Sequence, residues 1–390
     1  MKCLINMKEI IILKNILIFY GSYGGGHIAA AKSILEELNS KYDDINVEMI
    51  DCIEYINKFI NRISTDTYKE LAKKAPNLWK GVYEISKSGP IAKISTDSNI
   101  LMANKLIKLI DEKQPNLIIN THPFGSQMCA YLKKEGKINI PIATILTDFH
   151  IHPQWLVFHE YIDFFFVAND EMKSDMIELA IPASRIFVTG IPVSKRFSKT
   201  FDRKKVCQSF NLDPDKDVVL FFAGGEFGLG RANTILTLKA LVRLFPDLQV
   251  VAISGKNRKM HEKFNSIVTR AEASSRIKIV SFTDKIPELM SISKYVITKA
   301  GGLTISESLI SNLPIIIINP IPGQEEENAQ FLVDEDVAIW IKKNDNIARI
   351  LKNLSRHPNK LNFMKANAKR LARPNSTSDL CEILYNKLKC

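Results

Sequence analysis

No C-x-x-C pair occurs in this sequence, although it holds six cysteines: Cys3, Cys52, Cys129, Cys207, Cys381 and Cys390. That spacing offers neither a zinc site nor a redox motif. The scatter fits reduced thiols in a cytosolic protein. No apolar run is long enough to span a bilayer. The longest near the start, residues 10–20, is interrupted by Lys14 and is followed by no small-residue cleavage site. Any membrane contact is therefore expected to be peripheral. The G-x-x-x-x-G-K-[ST] spacing of a P-loop is missing, as are short-period repeats, low-complexity tracts and nucleic-acid recognition motifs. Two D-x-D strings, Asp213-x-Asp215 and Asp334-x-Asp336, fall in expected polar loops. With Asp217 the first still fails as a calcium loop, because Val218 takes the glycine position. No metal is expected.

What the chain does have is length and positive charge. Its 390 residues suggest two domains, and a formal net charge of +11 points toward an anionic partner, phosphate or acidic lipid headgroups among them. A solvated basic surface is the plainer reading of the same charge.

The first half alternates strand and helix. Residues 16–20, 47–51, 117–120, 142–146, 164–167 and 186–188 read as strands, and a helix starts near His27 with Ala30, Ile34 and Leu38 at helical spacing. Residues 190–193 look like the exit from this unit, followed by a charged linker over 195–205. The pattern then restarts with strands at 218–222, 250–253, 278–282, 295–298 and 314–319. Continuous apolar strands separated by helices imply a parallel sheet covered on both faces, with ligands at the carboxyl ends of the strands. The fold class is α/β, two successive Rossmann-like halves.

Polar clusters stand at those strand ends. Gly21-Ser22-Tyr23-Gly24-Gly25-Gly26-His27 lets backbone N–H groups approach a ligand at a helix start, or simply packs strand tightly against helix. A histidine at a helix start is kept from protonating by the positive helix end, so His27 is a candidate base. Gly224, Gly225 and Gly228 form a second turn. In Thr298-Lys299-Ala300-Gly301-Gly302-Leu303-Thr304-Ile305-Ser306-Glu307, Thr304 reads as a helix cap. Glu307 can take a ribose diol or close a capping box with Thr304. Pro320-Ile321-Pro322-Gly323-Gln324-Glu325-Glu326-Glu327-Asn328 offers amides and carboxylates to sugar hydroxyls, or is an acidic helix start.

In this order, with Thr147-Asp148-Phe149-His150 between the first two, these motifs resemble the diacylglycerol glycosyltransferases of glycosyltransferase family 28. That group holds the processive diacylglycerol glucosyltransferases and the monogalactosyldiacylglycerol synthases. The resemblance runs from about residue 15 to the C-terminus. It implies a GT-B fold: an acceptor and membrane-binding domain over 1–195, a UDP-sugar domain over 200–370, and a helix over 371–390 returning to the first domain. It implies an inverting hexosyltransferase that uses a UDP-sugar donor without metal or other cofactor and a diacylglycerol acceptor. His27, Asp148 and His150 match catalytic, acceptor-side positions, with the base left open among them. Gly224, Gly225, Gly228, Ala300, Gly301, Gly302, Leu303 and Thr304 match the phosphate side. Phe282 and Thr283 match the uracil side, Glu307 the ribose ligand, and Gln324 and Glu325 the sugar contacts. His150 and His152 stand where many relatives have tyrosine or asparagine, and Glu226 interrupts the second glycine turn.

Between Tyr55 and Ser95, eight basic residues against three acidic ones leave a local charge of about +5, with Phe59, Tyr68, Trp79 and Tyr83 interleaved. This stretch reads as a surface for anionic membrane at the inner face of the cell membrane, or as a helical pair with a solvated basic face. The competing activities are N-acetylglucosaminyl transfer to a polyprenyl-linked peptidoglycan precursor and a UDP-N-acetylglucosamine epimerase of the same fold. No nucleic-acid partner is expected.

Overall fold

The computed structural model describes residues 13–22, 25–57, 90–223 and 231–389. They build two parallel six-stranded sheets. The first contains β1 (Lys14–Tyr20), β2 (Ile45–Asp51), β3 (Leu117–Asn120), β4 (Ile142–Ile145), β5 (Phe164–Val167) and β6 (Ile186–Val188), in spatial order β2-β1-β3-β4-β5-β6. The second contains β7 (Val218–Phe222), β8 (Gln249–Ile253), β9 (Ile277–Val280), β10 (Ser293–Thr298), β11 (Ile315–Ile318) and β12 (Ala338–Ile341), in order β12-β11-β10-β7-β8-β9. The α/β class read from the apolar strands is what forms, because runs such as Ile16–Phe19 and Ile315–Ile318 are buried and must be covered on both faces.

Helices supply the cover. In the first half they are α1 (Gly25–Lys41), α2 (Cys52–Asn57), α3 (Pro90–Lys113), α4 (Pro123–Lys134) and α5 (Asp170–Glu178). In the second they are α6 (Arg203–Ser209), α7 (Arg231–Leu244), α8 (Arg258–Arg270), α9 (Ile286–Ile292), α10 (Gly302–Ile310), α11 (Gln324–Asp334), α12 (Ile347–Arg356), α13 (Pro358–Leu371) and α14 (Ser376–Lys389). On α1, Ala31, Ile34 and Leu38 are buried against the sheet, and Ala30 is buried too. Each fully buried Ile or Leu contributes roughly 1.5–3 kcal/mol.

Both sheets change winding direction once. The first does so between β1 and β3, paired so that Phe19 stands opposite Asn120, and the second between β7 and β10. Ligands of open parallel sheets bind beyond the strand ends at such reversals. The turns that leave these strands are the one before α1, the one before α4, and the one from β10 into α10.

The chain crosses between the halves twice. At Gly190, with φ of +85°, an added Cβ would stand 2.7 Å from Arg373 Cβ, so close approach and backbone conformation both require glycine. Thr377 Oγ1 accepts from Val193 N–H at 2.9 Å and donates to Val193 O at 2.7 Å, pinning the two crossings together. α14 then packs on the first sheet. Leu380, Cys381 and Leu384 join Ile16, Ile18 and Ile34, and Tyr385 stacks on Tyr42 at 3.7 Å.

Several local expectations are corrected. The charged segment expected as linker holds a 3-10 turn, Lys195–Ser198, and the start of α6. Within it, Lys195 pairs with the buried Glu37 of α1 at 2.6 Å, and Arg196 with Glu288 of α9 at 2.7 Å. β12 is a strand beyond those expected. Its alternation is weak, with Ile339 and Trp340 only partly covered. β9 ends at Val280, leaving Phe282 outside it and 81% exposed. The described cysteines, Cys52, Cys129, Cys207 and Cys381, are free and buried. Residues 58–89, which carry most of the basic aromatic stretch, lie outside the described residues.

Candidate active site

Gly21, after β1, meets His122, after β3. An added Cβ at Gly21 would fall 2.8 Å from the His122 ring, so only glycine fits. His122 caps α4 by accepting Phe124 N–H at Nδ1, 3.2 Å away. Its ring meets that of His27 edge-on, with centroids 4.6 Å apart.

His27 is the third residue of α1. Its Nδ1 lies 2.6 Å from the Thr121 carbonyl oxygen and 3.0 Å from Thr147 Oγ1. A carbonyl only accepts, so Nδ1 carries the hydrogen and Nε2 keeps its lone pair in the neutral ring. Burial holds the imidazolium down to a pKa of about 4, against a smaller opposing pull from the Thr121 carbonyl. His27 is therefore neutral at physiological pH, with one nitrogen fixed by the protein and the other available.

The two halves meet at this point. An added Cβ at Gly302, the first residue of α10, would lie 2.1 Å from the Thr147 carbonyl oxygen. One at Gly26 would lie 3.7 Å from Leu303 Cβ. So the N-terminus of α10 abuts the N-terminus of α1. Gly301 is the cap of α10, which corrects the expectation for Thr304. Thr304 sits in the first turn, and no capping box with Glu307 forms. The N–H groups of Gly302, Leu303 and Thr304 have no acceptor within the helix, which suits them to a negatively charged group. Ala300 is buried behind them.

Glu307 is half-buried on α10, and burial pushes its carboxyl up to about 8. Among the described residues its carboxylate has no hydrogen-bond or ion partner.

Asp148, after β4, is buried, which raises its pKa to about 6 against the opposing bonds from Asn328 and Gln324. Gln324 Nε2 donates to its Oδ2, and Asn328 Nδ2 donates to its Oδ1 at 3.0 Å. Both donors belong to α11, so Asp148 is bonded across the interface. Asn328 also donates to Ala300 O at 3.1 Å and accepts Phe149 N–H at 2.9 Å. Glu325, expected beside Gln324 as a sugar contact, accepts from Lys299 Nζ and from Ile321 N–H at 2.8 Å, so both oxygens are engaged inside the protein.

The other expected positions are more dispersed. His150 packs edge-on to Phe331 at 6.1 Å. Thr283 Oγ1 accepts Lys285 N–H at 3.1 Å, closing a turn next to the exposed Phe282. Gly224, Gly225 and Gly228 lie outside the described residues. Sequence reasoning missed Thr121, His122 and Thr147 as supports of His27. Their position at strand ends was the available signal. Asn328 was read only as one of the amides of the 320–328 motif, not as the partner of Asp148 180 residues away.

Among the described residues, no group of three or more His, Cys, Asp or Glu side chains is placed to hold a metal ion. The arrangement can hold a diphosphate at the start of α10 and accept a proton at His27.

Residues 27–193 match the family model for monogalactosyldiacylglycerol (MGDG) synthase, and residues 220–380 that for the glycosyltransferase family 28 C-terminal domain. The processive diacylglycerol beta-glucosyltransferase of Bacillus licheniformis is 32% identical, over 96% of this chain and 97% of its own. That of Bacillus subtilis is 30% identical, over 95% and 94%. Two solved structures share the GT-B fold. The UDP-GlcNAc 2-epimerase from Neisseria meningitidis bound to UDP-GlcNAc has a TM-score of 0.65 at 16% identity, over 96% of this chain and 100% of that one. MurG from Acinetobacter baumannii has a TM-score of 0.63 at 14% identity, over 96% and 99%.

Proposed function

The chain belongs to the diacylglycerol glycosyltransferases of glycosyltransferase family 28, and from that premise we propose that it transfers glucose from UDP-glucose to diacylglycerol, with inversion at the anomeric carbon. The observation that carries this reading is the meeting of α1 and α10. A neutral imidazole with a free Nε2 stands beside a glycine-rich helix N-terminus suited to a diphosphate.

In this reading His27 Nε2 takes the proton of the acceptor hydroxyl. The oxygen forms a bond to the anomeric carbon while the bond from that carbon to the diphosphate breaks, and the electron pair leaves on UDP. The first-turn N–H groups of α10 meet the charge that develops there. One displacement on an α-linked donor gives a β-linked product, the configuration printed in the relatives' names. Glu307 holds the ribose hydroxyls, and Phe282 and Thr283 border the base. Asp148 and the amides of α11 align the donor sugar, and His150 lies on the acceptor side. Thr147, Thr121 and His122 keep the His27 ring in place.

In this reading the enzyme works peripherally, at the inner face of the cell membrane where its lipid acceptor lies. Among the described residues no helix is long and apolar enough to cross a membrane, and the basic aromatic stretch over 55–95 suits an anionic surface. The test is incubation with diacylglycerol and either UDP-glucose or UDP-galactose, with the glycolipid identified by mass spectrometry and sugar analysis. A glucolipid is expected. A product from UDP-galactose alone contradicts the donor assignment, and no lipid product from either donor contradicts the function.

A further inference from the structure

β8 and β9 close one edge of the second sheet, and the residues just past their carboxyl ends include Ser254 and Ser281. Each of these hydroxyl oxygens lies 3.1 Å from the same atom, Nδ1 of His261 on α8. A hydroxyl both donates and accepts, so Nδ1 can bond to both serines in either ring tautomer. Ser254 is fully buried, and its N–H donates to Val280 O at 2.8 Å. It is the fixed end of the cluster. Ser281 is the exposed end, and it opens the segment 281–285 that joins β9 to α9. That segment has few ties. Phe282 is 81% exposed, and Thr283 Oγ1 bonds within the segment, to Lys285 N–H at 3.1 Å. Lys285 adds a cation–π contact with Phe210 at 6.0 Å. Among the described residues, the bond between Ser281 and His261 is the one side-chain hydrogen bond that ties 281–285 to the rest of its half. Ligands of parallel sheets sit beyond such strand ends.

We propose, resting on the reading of a UDP-hexose as donor, that His261 is a positioning residue for the nucleotide base: through Ser281 it holds the segment that presents Phe282 and Thr283, and so sets the affinity for the donor while leaving the chemical step alone. Without that tie, ligand binding must itself order the segment, which weakens affinity.

H261A, H261N, H261Q and S281A are compared with the wild-type full-length protein. UDP is titrated calorimetrically, and turnover is followed with UDP-glucose and vesicles containing diacylglycerol. In H261A and S281A the UDP dissociation constant and the KM for UDP-glucose are expected to rise together by about 3- to 10-fold, the value of one neutral hydrogen bond, with kcat unchanged. Asparagine places a polar atom where Nδ1 stands, whereas glutamine places one where Nε2 stands. H261N is therefore expected to keep nearly the wild-type affinity, and H261Q to behave as H261A. A histidine that only fills space in the fold would not separate these two amides.

Wild-type UDP affinity in H261A or in S281A overturns the proposal. So does a fall in kcat at unchanged KM, or an H261N protein that binds UDP no better than H261Q. If H261A fails to fold, S281A still decides, because the Ser281 side chain is at the surface. A wild type that binds neither UDP nor UDP-glucose refutes the donor reading instead.

Discussion

Truncating Asn328 to alanine removes the side chain that joins three groups from the two halves. It donates to Asp148 Oδ1 at 3.0 Å and Ala300 O at 3.1 Å, accepts Phe149 N–H at 2.9 Å, and is 0% exposed. Alanine leaves a buried N–H and a buried carbonyl without this partner and takes one of two side-chain donors from Asp148. A stranded buried group costs about 1–3 kcal/mol and a bond to a charged group is worth about 1.5–3 kcal/mol. With water entering the gap, the expected loss is about 3–5 kcal/mol, a large share of a typical total stability. The loss depends on pH. Asp148 has a folded pKa of about 6, above its ordinary value of 3.8, so its ionised form is the disfavoured one in the fold. Its contribution to stability is fully present below about pH 4 and is lost as pH rises through 6. Removing a donor deepens that loss, so the variant suffers more at pH 7.5 than at pH 5. Urea unfolding of both proteins at the two pH values measures it, followed by circular dichroism and by the fluorescence of tryptophans that include Trp155 in the first half and Trp340 in the second. A loss under 1 kcal/mol, or one equal at both pH values, shows that Asn328 does not support a buried, ionised Asp148.

Replacing His27 by alanine is expected to lower turnover about 10²- to 10⁴-fold while UDP binding persists, and turnover near wild type removes it as the base. In the wild type the acid limb of kcat/KM is expected near pH 6, where Asp148 takes a proton and can no longer hold Gln324 in one orientation. In D148N that limb moves down toward the His27 pKa of about 4, and an unmoved limb contradicts the assignment. G302A drives a methyl to 2.1 Å from the Thr147 carbonyl, so the halves must shift apart. It is expected to cost about 1–3 kcal/mol and to lower kcat. The matched G301A meets only Glu325 Oε1 at 3.5 Å, and thermal melts should find it milder.

The strands were legible because buried parallel strands are written as unbroken apolar runs, and the glycine clusters after them lie where parallel sheets bind ligands. β12 escaped because an edge strand with Ile339 and Trp340 half-covered keeps no unbroken buried run. Thr304 looked like a cap by residue type, yet Gly301 begins the helix because the backbone at Gly302 must pack on Thr147. The largest gap was pairing across the interface. Nothing in local spacing tells that Asp148 bonds to Gln324 and Asn328, because tertiary packing alone brings these motifs together. The same holds for His27: its position at a helix start was readable, but the Thr121 carbonyl that fixes its tautomer comes from another strand.

Transfer itself is tested most directly by giving the purified full-length protein UDP-[14C]glucose and vesicles containing diacylglycerol. The organic phase is then followed, and its product is analysed by NMR. Label is expected in the lipid fraction at a rate that H27A nearly abolishes, as a glucosyl diacylglycerol with a β anomeric linkage. An α linkage contradicts the single displacement, and label that never leaves the aqueous phase contradicts the account as a whole.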